Sequence, residues 1–347
     1  MCAATRPMGS AGPSSSEFVV TPRSDGPARK DRVAVIGARG YVGAELLKLL
    51  VPHPHFEVVL VTSRGLDGKP VRDEMPGVAL DLAFETVDPS EVPRLHERGI
   101  DVWVLALPNG YSEPWVTAIE AHCPEDLIVD LSTDHRFDQT WVYGLPEVRR
   151  DRIVKARRIA NPGCYATGAQ LALYPVLDLL EGPAHVFGVS GYSGAGTTPS
   201  PRNDPKVLAD NLVPYALAGH AHENEIRWQL GHKVFFMPHV APFFSGIVLT
   251  VSLALRKAVT RDELWERYTK RYKYEPLITL QDAIPLPRDN AGRHGVTIGG
   301  LTLEATDAHA VIVATLDNLL KGAATQCLQN MNLASGRDEL AGLRAHL

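Results

Sequence analysis

The sequence predicts two domains: a doubly wound α/β domain, then a mixed-sheet α+β domain. Three observations carry this expectation. The chain has 347 residues, more than one ordinary domain of ~100–200 residues requires. Its first half alternates short apolar runs with helical stretches, the pattern of parallel strands joined by crossover helices. Past about residue 165, strand-like runs outnumber helices.

The elements follow in chain order. Residues 1–30 are rich in Ser, Pro and Gly, show no periodicity and lack the apolar core of a secretory signal, so a disordered tail is expected. Arg32 to Gly37 reads as a buried strand and Val42 to Val51 as a helix closed by Pro52. Phe56–Val61, Ile100–Leu107 and Leu127–Leu131 are further strands, with helical stretches near Glu91–Glu97 and Glu113–Ala121 between them. A long helix is expected over Tyr165–Leu180, then strands at His185–Val189, Lys233–Met237, Gly246–Leu255 and Thr297–Glu304. Thr260 to Glu263 forms a capping box that opens a helix running to about Tyr272. The last helix, about Asp317 to Asn332, spaces its apolar residues for one buried face. The expected divisions are a tail at 1–30, the first domain at 31–163, the second at 164–316, and a C-terminal helix at 317–347 that returns to the first domain.

Composition excludes several functions. Net charge is −5 and no stretch approaches ~18 uninterrupted apolar residues, so neither nucleic acid nor membrane is an expected partner. The 4 cysteines, Cys2, Cys123, Cys164 and Cys327, form no CxxC pair. Reduced thiols and a cytoplasmic location are expected, with no metal site.

Gly37-Ala38-Arg39-Gly40-Tyr41-Val42-Gly43 joins the first strand to the first helix. Glycines there let the backbone approach a pyrophosphate, and free N–H groups at the helix start receive its charge. A Rossmann-type dinucleotide site is therefore expected. The second strand ends in Thr62-Ser63-Arg64 rather than in an acid. A hydroxyl and a guanidinium suit a 2′-phosphate, which points to NADP(H). Pro108, after a strand of the same sheet, is expected beside the pyrophosphate or ribose.

Asn161-Pro162-Gly163-Cys164-Tyr165-Ala166-Thr167 opens the long helix. A thiol at a helix N-terminus sits in the positive end of the dipole, which favours the nucleophilic thiolate. Cys123 and Cys327 lie in apolar helical surroundings and read as small buried hydrophobes. His220-Ala221-His222 is the best source of a general acid/base, and either imidazole could serve. Arg136 follows the strand at Leu127–Leu131. It suits an anionic substrate group, or a structural ion pair with Asp134 or Asp138.

Seven segments together resemble the N-acetyl-gamma-glutamyl-phosphate reductase family, within the wider group that includes aspartate-semialdehyde dehydrogenases. They are GARGYVGAELL (Gly37–Leu47), DLSTDHRF (Asp130–Phe137), YGLPE (Tyr143–Glu147), NPGCYAT (Asn161–Thr167), VSGYSGAG (Val189–Gly196), HAHENEI (His220–Ile226) and DNLLKGAA (Asp317–Ala324). Three positions depart from the usual motifs: His135 stands for a phenylalanine, Ala221 for an arginine and Asn224 for a proline. The resemblance implies a catalytic and dimerisation role for the second domain. It implies that Cys164 attacks an acyl phosphate, that phosphate leaves, and that NADPH reduces the thioester to N-acetyl-glutamate semialdehyde in arginine biosynthesis. Arg136 would hold the substrate phosphate, with Asn161 beside the substrate. Ser193 and Gly194 would line the cofactor near the nicotinamide, and Asn318 would meet its amide. A homodimer or homotetramer is implied. Aspartate-semialdehyde dehydrogenase and a lysine-pathway acyl-phosphate reductase share the chemistry. An inactive NADP-sensing protein is the reading from another class.

Overall fold

The computed structural model describes residues 29–304 and 308–344. The expected tail, with Cys2, lies outside the described residues except for Arg29 and Lys30. The apolar runs of the first half form a six-stranded parallel sheet of β1 (Asp31–Ile36), β2 (Phe56–Val61), β3 (Val102–Leu105), β4 (Leu127–Asp130), β5 (Val142–Tyr143) and β6 (Arg158–Ala160), in the order β2-β1-β3-β4-β6-β5. Alternate residues explain why these runs are apolar throughout. Val33, Val35, Val102 and Val104 pack on one face with Leu46 and Leu50 of the helix Tyr41–Leu50. Ala34, Ile36, Trp103 and Leu105 pack on the other with Trp115 and Ile119 of the helix Glu113–His122. Both faces are covered, as a parallel sheet requires. Strand order reverses beside β1, between β2 and β3, and ligands of open α/β sheets bind in the crevice beyond the carboxyl ends at such a point.

The second sheet has seven strands: β7 (Ala184–Gly191), β8 (Val213–Pro214), β9 (Val234–Ala241), β10 (Ile247–Ala254), β11 (Ile278–Gln281), β12 (Val296–Glu304) and β13 (His309–Leu316). Their order is β11-β12-β13-β10-β7-β9-β8, mixed as expected, with parallel pairs only at β11/β12 and β7/β9. One face buries Val186, Phe236, Leu249 and Ala314 against the helix Cys164–Leu173. The other leaves Phe187 and Phe235 each 38% exposed.

Two helices differ from expectation. The run Tyr165–Leu180 is an α-helix over Cys164–Leu173 and then a 3₁₀ turn over Tyr174–Leu179, because Pro175 has no N–H to continue the α ladder. The last helix does not start at Asp317. Asp317 Oδ1 accepts from the N–H groups of Leu319 and Leu320, and a π-turn follows over Leu320–Ala324 before the α-helix Thr325–Ala334. Its α-helical part is buried on all sides rather than on one face. Cys327, Leu328 and Met331 join the core of the first domain. Its polar residues are spent inside: Gln326 and Asn330 both donate to Gly144 O, at 2.7 and 2.9 Å. Buried Lys321 donates to Glu147 Oε1 and Gln329 Oε1, each at 2.6 Å. A buried charge needs such partners. This pair locks the π-turn to the helix Pro146–Ile153.

Candidate active site

A cavity of about 900 Å³ opens at the crevice and runs from the glycine loop to Cys164. Gly37 takes φ +85°, and a side chain there would lie 2.8 Å from Ala106 O beyond β3. A Cβ on Gly43 would collide with Ala38 O, so the helix can approach the strand only through glycine. At Gly40, by contrast, a Cβ would meet nothing within 4 Å. The helix Tyr41–Leu50 has no side-chain cap and no acid in its first turn, so its leading N–H groups keep their positive potential. At the same end lie Ser63, Arg64 and Arg39, whose Nη1 comes close to Gly65. Glu85 is the only acid lining the cavity among the described residues, and Arg98 holds it by two bonds of 2.7 Å. Arg64 makes only an exposed 3.6 Å contact with Asp88, which leaves its guanidinium available. The donor set therefore fits a dinucleotide with an extra phosphate.

At the other end, strand β6 delivers Asn161 and the helix Cys164–Leu173 begins at the cysteine itself. Gly163 is where the reactive groups meet. A Cβ there would collide with His222 Nε2 and lie 2.7 Å from Arg136 Nη1. Gly322 of the π-turn closes the far side, its own Cβ position being 2.7 Å from Cys164 Cβ. Burial opposes the thiolate that the helix terminus favours. Burial pushes its pKa up to about 11, against the lowering by the Tyr165 N–H and the Arg136 charge. Desolvation outweighs the dipole here, so proton removal needs a base.

The two histidines separate clearly. His220 caps the helix Ala221–Leu230, its Nδ1 accepting from His222 N at 3.0 Å, and it does not line the cavity. His222 does line it. Its Nδ1 is buried without a partner, and burial together with the Arg136 charge holds its pKa well below the ordinary 6.5. The neutral imidazole is thus the resting form, able to accept a proton at Nε2. If His222 is the base, kcat/KM should stay level as pH falls through 6.5 and decline only below it. A pH–rate profile checks this; an acid limb centred at 6.5 would contradict it.

Arg136 pairs with neither Asp134 nor Asp138. Asp134 accepts from Gly110 N and from Ser112 Oγ at 2.7 Å, and Asp138 accepts from Thr140. The buried guanidinium instead donates to Glu225 Oε2, Asn161 O and Leu131 O, each at 2.9 Å. These bonds leave one N–H on each terminal nitrogen for a ligand. Glu225, which the sequence reading passed over, is the organiser. It also accepts from Gly163 N at 2.8 Å and from Tyr143 OH at 2.7 Å, and so fixes Arg136 relative to the cysteine turn. Its place three residues after His222 on one helix is the signal that could have found it.

Every singled-out residue except His220 lines the one cavity: Gly37, Arg39, Gly40, Tyr41, Val42, Gly43, Ser63, Arg64, Pro108, Arg136, Asn161, Cys164, Ser193, Gly194, His222 and Asn318. Two have side chains committed to the protein. Asn161 accepts from Asn330 Nδ2 at 3.0 Å and donates to Ala323 O, which ties the cysteine turn to the last helix. Asn318 accepts from Gly246 N at 2.9 Å and donates to Ser193 Oγ at 2.8 Å. It thus braces the Ser193–Gly194 turn and keeps a single free amide hydrogen.

A Rossmann-type domain that supplies a dinucleotide cradle and a guanidinium, joined to a second domain that supplies a cysteine and an imidazole to the same cavity, defines a class of thiol-dependent dehydrogenase. The family models agree. "Semialdehyde dehydrogenase, NAD binding domain" matches residues 32–156, and "Semialdehyde dehydrogenase, dimerisation domain" matches residues 164–318. The chain belongs to the semialdehyde dehydrogenase family. Within it, the N-acetyl-gamma-glutamyl-phosphate reductase of Xanthomonas oryzae pv. oryzae is 53% identical over 311 residues, covering 90% of this chain and 98% of that protein. The protein of the same name from Xylella fastidiosa is 52% identical, covering 90% and 94%. Among solved structures, aspartate semialdehyde dehydrogenase II from Vibrio cholerae superposes with a TM-score of 0.71 at 21% identity, over 89% of this chain and 99% of that one. It has the same fold.

Proposed function

We propose that the chain catalyses NADPH-dependent reduction of N-acetyl-gamma-glutamyl phosphate to N-acetyl-glutamate semialdehyde, with release of phosphate, through a thioester on Cys164. The convergence of Cys164, His222 Nε2 and Arg136 Nη1 around Gly163 carries this reading. The identity of about half the residues with reductases of that name supports the substrate.

The chemistry divides between residues. His222 takes the thiol proton as sulfur attacks the acyl carbon. Arg136 offers its free N–H groups to the phosphate, which leaves with its bonding electrons. When bound, the nicotinamide supplies a hydride to the acyl carbon. Cys164 then departs as thiolate from the resulting tetrahedral adduct, and His222 returns the proton. Splitting the reduction through a thioester replaces one hard step with two easier ones. Glu225 and Asn161 position Arg136 and the cysteine turn.

Arg64, Arg39 and Ser63 would hold the 2′-phosphate, and the N–H groups behind Gly40 the pyrophosphate. Replacing Arg64 with alanine should lower kcat/KM for NADPH by ~10–100-fold, the worth of one or two charge-assisted hydrogen bonds, and leave that for NADH nearly unchanged. Parallel kinetics with the two cofactors check this; equal losses would contradict the assignment. The outer face of the second sheet, with Phe187 and Phe235, is the surface proposed for pairing two copies into a homodimer or a larger homo-oligomer. Cys123, Cys164 and Cys327 are free thiols, which suits a cytoplasmic enzyme. No helix among the described residues is long and apolar enough to cross a membrane.

A further inference from the structure

The loop carrying Arg136 borders a second cavity, of about 480 Å³, that shares Arg136 with the first. Arg149, where the helix Pro146–Ile153 kinks, and Arg152 in its last turn line it. Arg150 between them is turned onto Glu275 and Glu339, with bonds of 2.6 and 2.8 Å. Among the described residues, neither the Arg149 nor the Arg152 guanidinium has a hydrogen bond or an ion pair. Among the described residues Asp138 is the only acid lining the space, and its Oδ1 is spent on the N–H and hydroxyl of Thr140. His135 is shared between Asp130 at 2.7 Å and Glu113 at 3.2 Å, and the Arg136 charge is met by Glu225. Arg149 and Arg152 therefore line one polar space with their guanidinium donors unspent, and such donors suit an anionic ligand.

The walls say more about the occupant. Trp141 stacks on His135 with ring centroids 4.0 Å apart, and Trp228 at the mouth is 51% exposed. Gln229, beside Trp228, donates to Arg136 O at 2.9 Å, so one wall of this cavity holds the backbone of the active-site arginine. We propose that this cavity is a second ligand site, in which Arg149 and Arg152 bind a small phosphate or carboxylate dianion that is not the substrate undergoing reduction. An occupant would act on the active site through the Arg136 loop, and so on KM for the acyl phosphate rather than on the chemical step.

The test is a titration of the full chain, saturated with NADP⁺, with inorganic phosphate and separately with succinate, read by tryptophan emission. A saturable change that disappears in Trp228→Phe is expected from at least one probe, and the probe that gives it assigns the ligand as phosphate or carboxylate. Arg149→Gln/Arg152→Gln should weaken that binding ~10–100-fold, and exposed Arg152→Gln alone should weaken it measurably. Both variants should keep kcat without added anion within about twofold of the parent. No saturable change with either probe, or unchanged binding in both arginine variants, would overturn the proposal.

Discussion

Replacing Cys164 with serine is expected to lower kcat/KM on the order of 10⁴-fold or more, while NADP⁺ binding and the far-UV circular dichroism spectrum stay as they are. The size of the loss follows from the site. The thiol sits at the helix start where His222 and Arg136 converge. A hydroxyl in that place is a far weaker nucleophile, and no neighbouring group is placed to replace it. The thiol's pKa of about 11 sharpens the prediction. Burial opposes the thiolate, so proton removal falls to the base beside it, and serine, with a higher pKa still, gains little from the same imidazole. Steady-state kinetics on the purified variant give the answer. Activity within ~10-fold of the parent would show that the sulfur carries no covalent step.

Gly163→Ala should be the next most damaging single change, with a loss of ~10²–10³-fold in kcat/KM. Its new methyl would occupy the space now held by the edge of the His222 ring and by Arg136 Nη1. Both groups would have to retreat, and the Gly163 N–H that donates to Glu225 would move with them. Glu225 links this residue to Arg136 and Tyr143, so the displacement would spread across the phosphate-binding side rather than stay local. A destabilisation of ~1–3 kcal/mol from overpacking should accompany it. Kinetics and a urea melt on the same preparation separate the two effects. A variant that loses stability yet keeps kcat/KM would contradict the convergence at Gly163.

What the sequence revealed, and what it hid, divides by the range of the interactions involved. The glycine loop and the cysteine turn were legible because their chemistry is local. A strand, three glycines and a helix start lie within a dozen or so residues, and Gly37 and Gly43 each have a steric reason visible in the backbone. Glu225 was not legible, because its partners Gly163, Tyr143 and Arg136 lie 62, 82 and 89 residues away. The division of labour between His220 and His222 was hidden for a related reason. Both look alike in HAH, and only the helix start at Ala221 turns one into a cap and the other into the cavity. The last helix misled in another way. Gln326, Gln329, Asn330 and Asn332 look like a solvent face, yet they are fully buried, and backbone carbonyls and other polar side chains receive them. The π-turn before it leaves no trace in residue spacing, although it brings Gly322 against Cys164. At the thiol the favourable dipole can be read from position, whereas the opposing burial can be read only from the fold.

The central claim is a covalent acyl intermediate on Cys164, and intact-protein mass spectrometry tests it most directly. The chain is mixed with N-acetyl-gamma-glutamyl phosphate in the absence of NADPH and quenched in acid. The expected result is a gain of one N-acetylglutamyl group per chain, mapped by peptide analysis to Cys164, absent from Cys164→Ser and discharged when NADPH is added before the quench. An unmodified mass, from a preparation that turns over the same substrate once NADPH is supplied, would contradict the thioester and with it the mechanism built on this site.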